Sequence, residues 1–177
     1  MCIVGWVIGV TQLHHVLYVV CRESSVIKTY TTDTLSALSE DIHVEGMSNP
    51  RDIVVCRYDR QLYVADWDCI WRVSPDDHSY VKWLPSTDST THTFDVTTLS
   101  MTSRRLLVTS RVSPTVHQYD TTNKQLLCVV KLPQDVRVVE HAVETTHGTF
   151  VVGYRGTSQD KEQHAVSELL RYIMHAV

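Results

Sequence analysis

The sequence predicts an all-β chain built from repeated antiparallel sheets. The first observation is alternation. The side chains of QLYVAD (61–66) are expected to alternate between two faces, and VLYVVC (16–21), RLLVTS (105–110) and GTFVVG (148–153) are close copies of it. Alternation with period two marks a half-buried strand, because successive side chains point to opposite faces. The second is spacing. Tyr18, Tyr63, Leu107 and Phe150 occupy equivalent places in the four copies and lie 45, 44 and 43 residues apart. A period of about 40–45 residues fits the four-stranded blade of a β-propeller. Helical repeats of similar length would show 3.6-residue apolar spacing instead. The third is composition, since Val and Thr are abundant and both favour strands.

Each repeat divides into short strands joined by turn residues. The first gives GWVIGVTQL, VLYVVC, VIKTYT and DIHVEG, with Thr32-Asp33-Thr34 at its outer turn. The second gives DIVVCRY, QLYVADW, CIWRVS and YVKWLP, with turns at Asp59-Arg60, Asp68 and Pro75-Asp76-Asp77. The third gives FDVTTLSM, RLLVTSR, TVHQYD and CVVKLP, with Thr121-Thr122-Asn123-Lys124 as outer turn. Asp, Asn, Pro and Thr suit tight connections between antiparallel strands. The fourth begins as VRVVEHAVE and GTFVVGYR, then gives way to the polar stretch 156–163. In HAVSELLRYIMHAV, Ala165, Leu169, Leu170, Ile173, Met174 and Val177 fit a helical stripe, so a C-terminal helix is expected. The alternative is a third strand at HAVSEL. The expected organisation is a partial propeller over 1–156, with four-stranded blades near 4–46, 50–85 and 93–133 and an incomplete one at 136–156. A polar loop and terminal helix or strand follow over 157–177.

The rest of the composition limits what the chain does. Its 177 residues are 43% hydrophobic and 20% charged, enough for one domain with a core, and the net charge of −4 gives no overall pull toward nucleic acid or membrane. Five cysteines without a C-x-x-C pair favour buried thiols over a disulfide framework. The N-x-S/T acceptor is absent, so a cytoplasmic location is expected. The apolar start MCIVGWVIGVTQLHHVLYVV lacks a basic leader and is interrupted by Thr11, Gln12, His14 and His15, which makes it a first strand rather than a targeting or membrane segment.

Residues 49–74, NPRDIVVCRYDRQLYVADWDCIWRVS, resemble an NHL repeat, through Pro50, Asp52, Tyr63, Val64, Ala65, Asp66 and Val73. The usual Asn-His or Asn-Arg after the Asp is replaced by Trp67-Asp68-Cys69. The other units match the generic propeller pattern also seen in YVTN-type repeats. The resemblance implies a β-propeller and a structural Asp66 that caps backbone N–H groups. NHL-type propellers commonly close with about six blades, so a fragment of a longer propeller is expected, or self-association through exposed blade edges.

No catalytic motif is present: G-x-S-x-G, H-E-x-x-H and phosphate-binding loops are missing. The chain is therefore expected to be no enzyme and to hold no cofactor. No metal site is expected from the ten histidines: His14 and His15 are adjacent, and the others occupy unrelated blade positions. Calcium-dependent, lactonase-type hydrolysis is an alternative resting on Glu23, Asp66, Asp68 and Glu140. In an up-and-down blade, first-to-second loops share one face with third-to-fourth loops. The first-to-second loops bring Arg57, Arg60, Arg104 and Arg105 to that face as candidates for RNA or an anionic ligand. Of the tryptophans, Trp71 and Trp83 are expected to pack between blades, whereas Trp67 sits on a loop as a candidate protein-binding anchor. The leading expectation is a non-catalytic scaffold that binds an unidentified protein partner through its loops.

Overall fold

A computed structural model describes residues 5–85, 95–133, 136–156 and 164–169, with the backbone alone at 85, 137, 155–156 and 164–169. Its strands form four antiparallel sheets in which sequence neighbours are spatial neighbours. The chain divides into two compact units, Met1–Pro85 and Ser86–Val177. No helix among the described residues is long and apolar enough to cross a membrane.

The first unit holds two four-stranded sheets. One is β1 (Val7–Leu13), β2 (Val16–Cys21), β3 (Val26–Thr31) and β4 (Ile42–His43). The other is β5 (Asp52–Cys56), β6 (Gln61–Ala65), β7 (Cys69–Val73) and β8 (Tyr80–Pro85). Alternation decides what each strand buries. Leu62 and Val64 of β6 join Trp71 and Val73 of β7 on one face, against Val20, Ile27 and Ile42 of the first sheet. Tyr63 points the other way, with its ring edge-on to Trp83 at 5.1 Å. Gly9 marks where β1 and β5 approach most closely. A Cβ there would lie 2.9 Å from the Ile53 amide nitrogen and 3.0 Å from a Val20 methyl. Only a residue without a side chain fits that gap.

The outer edge of the first sheet is finished by a loop rather than by a long strand. β4 pairs only with Val26 and Ile27. Beyond it, residues 32–41 fold back along β3. The Thr29 amide donates to Asp41 Oδ1 (3.1 Å) and its hydroxyl to the Glu40 carbonyl (2.8 Å). The Leu38 amide donates to the Thr29 carbonyl, and the Thr31 amide to the Ser36 carbonyl, both at 2.9 Å.

The second unit holds a four-stranded and a three-stranded sheet. The former is β9 (Val96–Thr102), β10 (Arg105–Ser110), β11 (Thr115–Asp120) and β12 (Leu126–Lys131). The latter is β13 (Val136–Glu144), β14 (Phe150–Gly156) and β15 (His164–Leu169). Leu107, Val116 and Val130 pack against Val139, Ala142, Phe150 and Val152 in the core that the two sheets share.

The C-terminal expectation is corrected here. His164–Leu169 is not helical but forms β15, antiparallel to β14 with Phe150 opposite Leu169 and Arg155 opposite His164. The helical stripe lost because β14 offers a free row of backbone donors and acceptors that a strand satisfies and a helix does not. The remainder of the expected loop and helix, 157–163 and 170–177, lies outside the described residues.

Candidate functional site

The most highly organised loop of the first unit joins β6 to β7 through Asp66, Trp67 and Asp68. Asp66 is buried, and its carboxylate accepts four hydrogen bonds. Oδ1 takes the amides of Asn49 (2.8 Å) and Trp67 (2.9 Å). Oδ2 takes the Ser48 amide (3.0 Å) and the Trp71 indole N–H (3.3 Å). One charge thus ties together the approach to β5, the turn itself and the side chain of β7. Hydrogen bonds to an ionised acceptor are stronger than neutral ones, so the turn is held stiffly. On this fixed base Trp67 is 52% exposed. The Trp71 ring is pinned from its other side, edge-on to Tyr80 at 6.0 Å and with Lys82 Nζ 5.2 Å from the ring centroid.

Asp66, Asp68 and Cys69 place one potential ligand atom each within 4.8 Å of one another. Asp66 has little left to offer a cation. Both Asp66 oxygens are already engaged by the four donors. Burial, followed by the charge of Asp68 and its acceptance of the thiol hydrogen, pushes the Cys69 thiol up to about 12, which keeps it protonated at neutral pH. Calcium takes oxygen ligands, so the Cys69 thiol adds nothing to a calcium site. Of the other expected calcium ligands, Glu23 pairs with Arg22 at 3.5 Å in the turn between β2 and β3, and Glu140 lies on β13 in the second unit.

The four arginines fall on two turns in two units. Arg57 and Arg60 sit between β5 and β6, Arg104 sits between β9 and β10, and Arg105 opens β10. Arg60 donates to Asp76 Oδ1 at 3.0 Å, across from the β7–β8 turn. Burial raises the Tyr18 phenol, the Asp76 charge raises it further and Arg60 opposes. The connections at this end of the first unit also bring Asp33, Asp59 and Asp77, which outnumber Arg57 and Arg60. In the second unit Arg105 Nη1 reaches Glu144 Oε1 at 3.0 Å, and the buried Gln118 donates to Glu144 Oε2 at 2.8 Å. That Glu144 side chain is only 5% exposed. Arg104 lies near Asp120, whose carboxyl is held below its usual range first by the Thr122 amide. Two of the four arginines therefore spend their charge on a carboxylate within their own unit.

Sequence reasoning placed Trp67 on a loop and Asp66 at a turn. It overlooked Trp6, which is 75% exposed just before β1. Trp6 falls inside the apolar run GWVIGV, where nothing local separates an exposed aromatic from a core one. It also overlooked the Gln118–Glu144 pair, whose members are 26 residues apart with no shared motif.

No known protein family matches this sequence, and no curated protein matches it either. Solved structures do. The chain is similar to the computationally designed Ika4 protein, with a TM-score of 0.65 and 13% identity over 94% of this chain and 92% of that one. It is similar to Kuenenia stuttgartiensis hydrazine synthase, with a TM-score of 0.67 and 12% identity over 94% of this chain. It is also similar to the β-propeller domain of Myceliophteria thermophila Cps50 (Swd1), with a TM-score of 0.65 and 11% identity over 84% of this chain. The chain spans 47% and 49% of the latter two. At these identities the likeness shows the fold: four consecutive antiparallel sheets of a β-propeller kind.

Proposed function

We propose that this chain is a non-catalytic propeller scaffold that binds another protein, with Trp67 as its anchor. The observation that carries the reading is an indole 52% exposed on a turn that the Asp66 carboxylate immobilises through four hydrogen bonds. Binding hot spots are enriched in Trp, and a side chain already held in place loses less entropy when it docks. The buried environment of Asp66 and Cys69 supports a structural role for those residues rather than a reactive one. Engagement of Arg60 and Arg105 by Asp76 and Glu144 weighs against the anionic-ligand alternative.

The test is quantitative affinity capture with the wild-type chain, Trp67→Ala and Tyr58→Ala as baits. Tyr58 is also exposed but lies at the opposite end of the first unit. Proteins retained by the wild type and by Tyr58→Ala, but lost with Trp67→Ala, are the expected result. An unchanged profile across all three baits removes Trp67 as the anchor.

A further inference from the structure

The geometry points to a two-point aromatic anchor at one end of the first unit, formed by Trp6 and Trp67, that takes an extended, lysine- or arginine-bearing segment of a protein partner. This inference rests on the reading of Trp67 given above and adds the second contact and the chemistry of the occupant.

The two tryptophans sit at the same end. β1 lies against β5 at Gly9 and Ile53. Trp6 precedes Gly9 by three residues, and Trp67 follows Val64, the ladder partner of Ile53, by three. One segment joins the two places: the Val44 amide donates to the Ser25 carbonyl in the turn after β2 (2.9 Å), and the Ser48 and Asn49 amides donate to Asp66 beside Trp67 (3.0 and 2.8 Å), so the β2–β3 and β6–β7 turns share this end. The Trp6 carbonyl accepts the Arg22 amide at 2.8 Å, which extends the β1–β2 ladder and fixes the backbone of this first anchor. A bulge between Val7 and Gly9 shifts the register, so the ladder partner sets the face: Trp6 lies opposite Arg22, which alternates with Cys21 and shares the face of Val20, and Val20 packs on the core shared with the second sheet. Packed sheets are about 10 Å apart and neighbouring strands about 4.8 Å, which puts the two anchors roughly 10–15 Å apart. About four residues of extended peptide span that distance at roughly 3.3 Å each.

Charge selects the occupant. The segments 22–25, 44–51 and 66–68 at this end carry Arg22, Glu23, Glu45, Arg51, Asp66 and Asp68. Arg22 and Glu23 pair with each other. Arg51 and Lys82, whose Nζ lies 5.2 Å from the Trp71 ring centroid, are then left against Glu45, Asp66 and Asp68, still an acidic balance. Glu45 is exposed, Asp68 is partly exposed, and among the described residues no ion pair engages either. A cation is attracted both by these carboxylates and by an indole face, whereas a phosphate backbone is repelled.

The probe is a phage-displayed library of random peptides about 12 residues long, long enough to cross both anchors. It is selected on the wild-type chain, and recovered peptides are titrated by fluorescence anisotropy. Recovered peptides are expected to hold more Lys and Arg than Asp and Glu. Trp6→Ala and Trp67→Ala each weaken them at least about tenfold. Trp6→Phe, which keeps a ring, costs under about threefold, Glu45→Lys costs more than about threefold, and Tyr58→Ala leaves affinity within about twofold. If Trp67→Ala weakens binding while Trp6→Ala does not, or if the peptides are acidic or uncharged, this inference falls and the Trp67 anchor survives. If neither tryptophan matters, or no peptide is recovered, both fall.

Discussion

Replacing Asp66 tests the physical core of this structure. Asp66→Ala removes the acceptor of four donors: the Ser48, Asn49 and Trp67 amides and the Trp71 indole N–H. The indole bond is buried, so its donor is left without water, at a cost of about 1–3 kcal/mol. The three amides are partly buried, and losing each bond costs about 0.5–1.5 kcal/mol. Water entering beside the amides recovers part of this, which leaves a net loss of about 3–5 kcal/mol. Asp66→Asn keeps two acceptor positions but turns an NH2 toward two of the donors, and about 2–4 kcal/mol is expected. The assay is urea unfolding followed by tryptophan fluorescence, with acrylamide quenching of the native state as a second readout. Asp66→Ala is expected to shift the midpoint down and to make Trp67 more quenchable by loosening its turn. A loss below about 1 kcal/mol for both variants would refute the view that this carboxylate holds the loop.

Three further outcomes follow from other places in the fold. Gly9→Ala forces a Cβ to within 2.9 Å of the Ile53 amide nitrogen, and a loss of about 1–3 kcal/mol in thermal unfolding is expected as β1 and β5 are pushed apart. Arg105→Ala leaves the Glu144 carboxylate, 5% exposed, with Gln118 as its remaining side-chain donor; because Arg105 is half-exposed, about 1–2 kcal/mol is expected, measured by chemical unfolding. Cys69, whose thiol sits at about 12, is expected to resist thiol reagents in the native state at pH 8; its contribution to stability is whole below pH 9 and is lost as pH rises toward about 12, which stability measured across that range will show.

Much of the fold was legible in the sequence because a strand writes its own period. β2, β6 and β10 repeat nearly the same segment, so no distant contact is needed to recognise them, but they are buried on both faces where a half-buried strand was expected: Leu62, Tyr63, Val64 and Ala65 are all buried, because sheets pack on either side. HAVSEL was harder, because six residues of mixed apolar character satisfy either period and the free edge of β14 decides between them. Asp66 was legible as a turn residue through the NHL-like segment, although its four donors come from three separate stretches. The arginines show the opposite limit. Reading the first-to-second turns alone suggested a basic face, but the third-to-fourth turn emerges at the same end and brings Asp76 to Arg60. Glu144 found Gln118 and Arg105 through sheet packing, which leaves no spacing rule along the chain.

The loop that folds back on β3 has a consequence for how this protein behaves when crowded. A bare outer strand offers its alternate N–H and C=O groups to any passing chain and so seeds cross-β growth. On β3 those groups are already taken: Val26 and Ile27 by β4, Thr29 by Leu38 and Asp41, and Thr31 by Ser36. A strand from another molecule would have to displace β4 and the chain's own loop before it reached β3. The ten residues 32–41 thus serve as a hem over the outer strand, leaving β4, two residues long, as the short regular edge of the first sheet.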